Sequence, residues 1–265
     1  MSSSTSIIFA ILSNRLEICL LLVLATVFTI SYYYKIARRV ARVHRVFFTW
    51  GVQMKRFLPL TSMLIFPVLG WLYALTNRPG AQVYSLVTDL DRAIPLVKAF
   101  VLPYSVWIFY IYICLIYFFI KDPAVYRRSL ITYAICALMC YGIYLVFQTT
   151  VPRPPIDGTD PFTRLLGYVW GRDQPFNCFP SIHCFSSYMV MKALHSSNFR
   201  NRLNQTLIYG MSSLIIISTF FIKQHVIFDA LGGIILADIV YRLVMRAERT
   251  ASFRKAKPIA QRANM

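Results

Sequence analysis

Long runs of apolar residues, separated by short polar stretches, dominate the chain. A membrane-spanning helix needs about 20 mostly apolar residues to cross a hydrocarbon core of about 30 Å. Inside lipid every backbone polar group needs a partner within the protein, so such runs are predicted to be helices. Seven segments fit this description, although the fifth is short and contains Lys192: 16–34, 57–76, 99–120, 130–148, 181–197, 206–222 and 226–245.

The composition agrees with a polytopic membrane protein. Hydrophobic residues make up 57% of the 265 residues, and the mean hydropathy is +0.56, values that soluble domains rarely reach. The N-terminus lacks the basic region of a signal peptide. We predict an all-α fold in three parts: a transmembrane helix with a basic amphipathic segment (1–56), a membrane domain (57–245) and a basic cytoplasmic tail (246–265).

The net charge of +18 is distributed unevenly along the chain. When the loops are assigned alternately to the two sides of the membrane, 20 of the 28 Lys and Arg residues fall on one side and eight on the other. Cytoplasmic loops carry the excess of basic residues, so the N-terminus is predicted outside and the C-terminus inside. The basic runs are then interpreted as topology signals whose side chains contact anionic lipid headgroups. This interpretation favours membrane lipids, and not nucleic acid, as partners. The run 35–56 is predicted to be an amphipathic helix on the inner surface.

The six cysteines do not form a recognisable disulfide framework or a CxxC zinc motif. Four of them lie inside predicted spans and are expected to act as small core hydrophobes. Cys178 and Cys184 flank the start of the fifth predicted helix. They could pair, but Cys184 is expected to point along its own helix, so free thiols are favoured.

The predicted topology brings five ionisable residues to the outer interface: Arg153, His183, Lys223, His225 and Asp229. Ionisable groups are costly at a membrane edge unless they are paired or hydrated, so they are candidates for function. His225 and Asp229 are four residues apart, which on a helix places both on one face. A carboxylate there would hold one imidazole nitrogen and leave the other free as a nucleophile or base. The alternative is a buried pair that only packs.

The stretch around His183 has the features of a phosphate site. Pro180 and Ser181 are helix-start signals, and the free N–H groups and positive dipole end of a helix attract phosphate. Arg153 and Lys223 are candidate cationic clamps. For Arg153 the alternative is contact with lipid headgroups, and for Lys223 it is snorkelling to the interface.

These motifs resemble the signatures of the type 2 phosphatidic acid phosphatase superfamily. The sequence PSIH (180–183), followed by Ser-Thr, five residues, His225, three residues and Asp229, is similar to the second and third signatures, and VPRP (151–154) is similar to the end of the first. The resemblance implies a six-helix core, to which this chain adds one N-terminal helix. It also implies His225 as nucleophile, Asp229 as its orienting group, His183 as general acid, and Arg153 and Ser181 as phosphate binders.

The chain departs from the family pattern at three positions. Val146 stands where the family has Lys, Ile182 where it has Gly, and Thr219 where it has Arg. Lys223, one turn from Thr219 if both are helical, is a candidate replacement for one missing cation. Signatures with substitutions of this kind are similar to those of the inositol phosphorylceramide synthase branch. Members of that branch transfer a phosphorylated headgroup between lipids.

The sequence therefore predicts a lipid phosphatase that works through a phosphohistidine, without a cofactor or metal ion. The alternative is a phosphotransferase that passes the phosphorylated headgroup to a lipid alcohol. The loop segment 158–170, with Asp160 and Pro161 as start signals, is predicted to form a short interfacial helix and to act as a lid. The compact chain without targeting signals indicates a bacterial plasma membrane, with the site facing outward.

Two other classes of function are less well supported by the sequence. One is a metal-dependent oxidase with His183, His225 and Asp229 as ligands, but the chain has only four histidines. The other is a transporter or non-catalytic lipid binder with Asp229 and Asp238 on a proton path. An inter-helix polar contact is the simpler interpretation of Asp238.

Overall fold

A computed structural model describes residues 57–80 and 82–262, with side chains described as far as residue 251. The predicted helix 16–34 and the predicted amphipathic segment 35–56 lie outside the described residues. The chain divides into two units, Met1–Thr61 and Ser62–Met265, and apart from the few residues before Ser62 the elements described below belong to the second.

The second unit is almost entirely helical, and its few β residues form one short parallel pair. Tyr84 and Ser85 pair with Thr149 and Thr150. In chain order the elements are a 3₁₀ helix at Leu58–Leu64, α1 (Ile65–Thr76), β1 (Tyr84–Ser85), α2 (Asp89–Ala93), a 3₁₀ turn at Lys98–Phe100, α3 (Val101–Ser105), α4 (Trp107–Lys121), α5 (Pro123–Val146), β2 (Thr149–Thr150), α6 (Pro161–Arg172), α7 (Ile182–His195), α8 (Arg202–Phe221) and α9 (Ile227–Arg262).

Four helical segments within the described residues are long and apolar enough to cross a membrane: Leu58–Thr76, Lys98–Lys121, Pro123–Val146 and Arg202–Phe221. They correspond to four of the seven predicted spans, and the protein is an all-α polytopic membrane protein. The third of these begins seven residues earlier than predicted, because Asp122 caps the helix through the Ala124 N–H and Pro123 occupies its first position. Its first turns then bring Arg128 within 2.8 Å of Glu248 on α9.

The predicted span 181–197 corresponds to α7, the central helix of the bundle, which is not among the four segments of spanning length. Helix α7 has only 14 residues, and α4, α5, α8 and α9 all pack against it. Ten of its residues are buried, including Ser186 and Ser187. A helix enclosed by protein on all sides need not span the bilayer alone, which explains why its apolar pattern is short.

The predicted span 226–245 corresponds to the first part of α9, which is not among the four spans. Helix α9 continues without interruption to Arg262, through the position where the basic tail was predicted to begin. Asp238 on this helix lies 2.6 Å from Lys192 of α7 and 2.6 Å from Arg242. These ion pairs explain how a helix with charged residues packs on the central helix.

The predicted short helix in the long loop is present as α6, and its role as a lid stays a prediction. Asp160 is its N-cap and accepts from the N–H groups of Phe162 and Thr163, and Pro161 is its first residue. The apolar face packs through the fully buried Leu166 against Tyr104 and Ile222. Helix α6 therefore lies against the ends of α3 and α8, close to the candidate catalytic residues His183 and His225.

Candidate active site

Two histidines from different parts of the chain meet at the end of the central helix. His183 is the second residue of α7, and His225 lies in the turn between α8 and α9. His183 Nδ1 and His225 Nε2 are 3.4 Å apart. Only 8% of His183 and 7% of His225 is exposed, so the pair is held in a largely water-free environment.

Asp229 faces His225, but not through the helical spacing that the sequence suggested. Helix α9 begins at Ile227, so His225 precedes the helix. Asp229 turns back to the helix start, where its Oδ2 accepts from the Val226 N–H at 2.9 Å and lies 3.4 Å from His225 Nδ1. The free N–H groups of a helix start attract a carboxylate at this position, which is why the helix does not extend back to His225.

His225 Nδ1 and Asp229 Oδ1 have no other hydrogen-bond partner among the described residues. The imidazole and the carboxylate are therefore available to each other. A small rotation would close the hydrogen bond, and catalytic hydrogen bonds often tighten only when a ligand is bound.

Glycines on α9 allow this helix to touch the start of α7. Ser181 is the N-cap of α7 and accepts from the Cys184 N–H at 3.3 Å, while its own N–H donates to the Asp229 carbonyl at 3.0 Å. A Cβ on Gly233 would lie 2.6 Å from the Ser181 carbonyl oxygen. The absence of a side chain at Gly233 thus sets the distance between the two histidine-bearing segments.

His183 is enclosed by two aromatic rings that the sequence analysis missed. The Tyr104 ring is stacked on the imidazole at 4.4 Å, and the Trp107 ring lies 4.1 Å away. Trp107 Nε1 also donates to Ser186 Oγ at 2.7 Å. Both rings come from a segment about 80 residues upstream with no motif, so only the fold reveals them.

A carboxylate close to the histidines was also missed. Asp173 follows α6 and accepts from the hydroxyl groups of Tyr73 at 2.5 Å and Tyr104 at 2.6 Å. Gln224, which directly precedes His225, donates to Tyr104 Oη at 3.2 Å and to Asp173 at 3.4 Å. This network fixes the His225 turn to α6.

Arg153 lies beside this network, with its guanidinium held by the protein. It donates to the carbonyl oxygens of Trp170 at 3.0 Å and Asp173 at 2.6 Å, and to Gln224 Oε1. Burial lowers the pKa of Arg153, and the Asp173 carboxylate offsets part of that shift. Its Nε is buried and has no hydrogen-bond partner among the described residues, and Arg153 is not among the residues that line the cavities described below.

Lys223 is not one helical turn from Thr219, because α8 ends at Phe221. The residue adopts a left-handed conformation with φ of 55°. Its ammonium donates to the carbonyl oxygens of Asp91, at 3.0 Å, and Ile94. It also lines a small cavity of about 70 Å³ together with His225.

Asp91 anchors the start of the helix that carries Asp229. Its Oδ1 accepts from the Ile227 N–H at 2.9 Å, and its Oδ2 accepts from the Thr88 N–H at 2.9 Å and from the Thr88 hydroxyl. Burial alone would raise the pKa of Asp91, but these hydrogen bonds outweigh it and the pKa is lowered. Asp91 and Lys223 together fix the turn that presents His225.

A cavity of about 530 Å³ opens onto both histidines. This volume is typical of a site for a small molecule or lipid chain. Asp173 and Arg172 lie on its lining near the histidines, and the rest of the lining is mainly apolar and aromatic. The aromatic members are Phe66, Tyr73, Tyr104, Trp107, Tyr112, Tyr133, Tyr141 and Tyr168.

One group of donor atoms in this region could hold a metal ion. Ligand atoms of Cys178, His225 and Asp229 lie within 4.8 Å of one another, and all three residues are buried. Cys178 thus stands where the sequence alternative placed His183. Both Cys178 and Cys184 are free thiols, which resolves the pairing that the sequence left open. A metal-free site stays a prediction.

Comparison with known proteins identifies the family of the chain. The family model described as the PAP2 superfamily matches residues 70–243, about two thirds of the chain. The chain therefore belongs to the PAP2 superfamily, the type 2 phosphatidic acid phosphatase superfamily that the signatures resemble. In general terms it is a membrane phosphatase or phosphotransferase. No curated protein and no solved structure matches the chain significantly.

Proposed function

We propose that this protein cleaves a lipid phosphate ester or diphosphate through a phosphohistidine on His225. The observation that carries the proposal is the arrangement of three buried side chains. His225 lies 3.4 Å from Asp229 on one side and 3.4 Å from His183 on the other. Both histidines also line the large cavity. One imidazole nitrogen faces a carboxylate while the other faces a second histidine.

The reaction has two steps. In the first, the His225 Nε2 lone pair forms a bond to phosphorus, the bond from phosphorus to the leaving oxygen breaks, and His183 gives that oxygen a proton. In the second, His183 takes a proton from water, whose oxygen attacks phosphorus while the N–P bond breaks. The negative charge of the bound phosphate beside His183 favours the protonated imidazole that the first step needs.

The phosphate is stabilised by few charged groups. Arg153 has a buried Nε donor without a partner among the described residues and would need to turn towards the phosphate, while Ser181 caps the helix that begins beside His183. Lys223 lies close to His225 across the small cavity. Positioned donors in a water-excluded site stabilise developing charge strongly.

Transfer to an alcohol is the second candidate, and the charges around the cavity favour it. The Lys223 ammonium is already held by two carbonyl oxygens, and the Asp173 carboxylate lines the same cavity as the two histidines. On this lining a phosphate monoester with two negative charges would meet the Arg172 guanidinium but also the Asp173 carboxylate. A phosphodiester carries one negative charge and would be less disfavoured, and phosphodiesters are the donors in headgroup transfer.

A transporter is less well supported. Asp238, the deep carboxylate on which a proton path would depend, is within 2.6 Å of both Lys192 and Arg242. Two adjacent cations keep such a carboxylate ionised, whereas a proton carrier must change its protonation state. The ion pairs agree with a structural contact between α7 and α9.

The test is a screen of lipid phosphates in detergent with a chelator present. Phosphate release from monoesters, and headgroup transfer from diesters, would be measured with and without added alcohol lipids. The matched control for His225→Ala is His195→Ala, because His195 is exposed at the far end of α7. Release or transfer by the wild type and by His195→Ala, but not by His225→Ala, supports the proposal. Dependence of the activity on added metal ions would contradict the metal-free mechanism.

A further inference from the structure

The large cavity extends well beyond the histidines, along α5 towards the N-terminal end of that helix. Tyr144 on α5 marks the level of the site, since its hydroxyl donates to the Pro180 carbonyl at 2.6 Å. Tyr133 lies eleven residues earlier on the same helix and still lines the cavity. At about 1.5 Å per residue this separation is roughly 16 Å along the helix. The cavity is therefore deeper than a phosphate group requires.

One side of the cavity lies between α1 and α4. Pro67 and Gly70 of α1 line the cavity and are also exposed, and Ile108 of α4 lines it from the other side. A Cβ on Gly70 would meet nothing within 4 Å. Both helices belong to candidate membrane spans, so the surface on which this cleft opens is one that meets lipid tails.

Three aromatic rings close the lower end of the cavity. The Phe66 ring packs at 4.8 Å from Tyr112 of α4 and at 4.5 Å from Tyr133 of α5. The Tyr133 ring in turn packs at 5.2 Å from Phe185 of the central helix. Phe66, Tyr112 and Tyr133, here called the aromatic floor, join α1, α4 and α5.

The layer beneath the aromatic floor is filled by side chains. Phe119 and Tyr126 lie there, with ring centroids 5.4 Å apart, and neither lines the cavity. Phe119 is 5% and Tyr126 2% exposed. An occupant that extends from the histidines therefore meets a solid barrier at the aromatic floor.

We infer that this cavity receives one hydrocarbon chain of the substrate, through the cleft between α1 and α4, and that the aromatic floor limits the length of that chain. The inference rests on the proposed function, because the chain is that of the lipid whose phosphate meets His225. Continuity of the cavity with the histidines identifies the occupant. An apolar, aromatic lining accepts a hydrocarbon chain from the lipid phase without desolvating a polar group, and packing against the walls then decides which chain lengths fit.

Two substitutions change the cavity in opposite directions. Gly70→Leu places a side chain in open space and fills the cavity, whereas Phe66→Ala removes one ring of the aromatic floor and deepens it. Gly142→Leu is the matched control, because Gly142 is also an exposed helical glycine with nothing within 4 Å of its Cβ, but it does not line the cavity. Phe66→Leu is a milder version in case Phe66→Ala does not fold.

The experiment compares kcat/KM for substrates with one headgroup and a graded series of chain lengths. Gly70→Leu should lower the value for long chains more than for short ones, and Phe66→Ala or Phe66→Leu should move the optimum to longer chains. A chain too long for the cavity must overpack its walls, which should lower kcat/KM by roughly fivefold to a hundredfold. Gly142→Leu should keep the wild-type profile. Identical profiles for all variants would overturn the inference.

A second measurement does not depend on turnover. The inactive His225→Ala protein, alone and combined with Gly70→Leu or Phe66→Ala, would be purified from membranes and its bound lipids identified by mass spectrometry. The inference expects shorter bound chains with Gly70→Leu and longer ones with Phe66→Ala. An unchanged chain distribution would contradict it. If the wild type turns over no lipid yet the distribution shifts, the proposed function fails while the cavity assignment stands.

Discussion

Gly233 provides a test of the helix contact on which the site depends. In Gly233→Ala the new Cβ would lie 2.6 Å from the Ser181 carbonyl oxygen and 3.1 Å from the Phe185 nitrogen. Both are backbone atoms of the α7 start and cannot rotate away. Helices α7 and α9 must therefore separate, which moves His183 relative to His225 and Asp229.

The expected magnitude differs between stability and activity. Overpacking a tight contact costs about 1–3 kcal/mol, and replacing a helical glycine by alanine returns about 0.5–1 kcal/mol. The net loss of unfolding free energy is then about 0–2.5 kcal/mol, which leaves most of the protein folded. A misplacement of about 1 Å in a catalytic site can cost on the order of 10²-fold in rate. We expect kcat/KM to fall about tenfold to a hundredfold.

The assay measures turnover of the lipid phosphate and thermal unfolding on the same detergent preparation. Gly210→Ala on α8 is the control, because a Cβ there meets nothing within 4 Å. It should keep wild-type activity and raise the unfolding temperature slightly. Full activity in Gly233→Ala, at unchanged unfolding temperature, would refute the claim that this contact sets the histidine geometry.

Three further variants test single groups. Asp229→Asn should unfold near the wild-type temperature but lose about 10²–10⁴ in turnover, because His225 loses its orienting charge; a smaller loss would remove that role. His183→Ala should slow cleavage of a lipid-alcohol ester by about 10²–10⁴ but hardly slow a p-nitrophenyl ester, whose leaving oxygen needs no proton; equal losses would make His183 a phosphate binder. The lowered pKa of Asp91 contributes stability that is present above pH of about 4 and lost as pH falls through the lower folded value. Asp91→Asn should therefore unfold earlier than wild type at neutral pH and approach it in acid, as melting curves across pH would show; a constant difference would contradict this.

The helices were largely predictable because apolar length and start signals act locally. Asp160 and Pro161 start α6 as expected, and four of the predicted spans are helices of spanning length. The predicted span 181–197 corresponds to a central helix of 14 residues, and its role as a span stays a prediction, since burial inside protein and burial in lipid select similar side chains. Periodicity alone does not separate these two environments.

The site residues that belong to sequence motifs could be predicted, whereas the residues that long-range packing brings to the site could not. His183, His225 and Asp229 stood out by type and spacing, although their roles stay predictions. The prediction that His225 and Asp229 share one helix was wrong. Helix α9 begins after His225, and the Val226 N–H at its start donates to the Asp229 carboxylate. Asp173 and Trp107 carry no motif and enter the site only through long-range packing.

The most direct test of the account is the identification of the phosphorylated residue. Enzyme mixed with a lipid substrate labelled at phosphorus would be quenched in alkaline denaturant within a turnover, digested and mapped by mass spectrometry. The account predicts an acid-labile label on the peptide that contains His225, present in His195→Ala and absent from His225→Ala, which should also be inactive. Full turnover by His225→Ala, or a label on a residue other than His225, would contradict it.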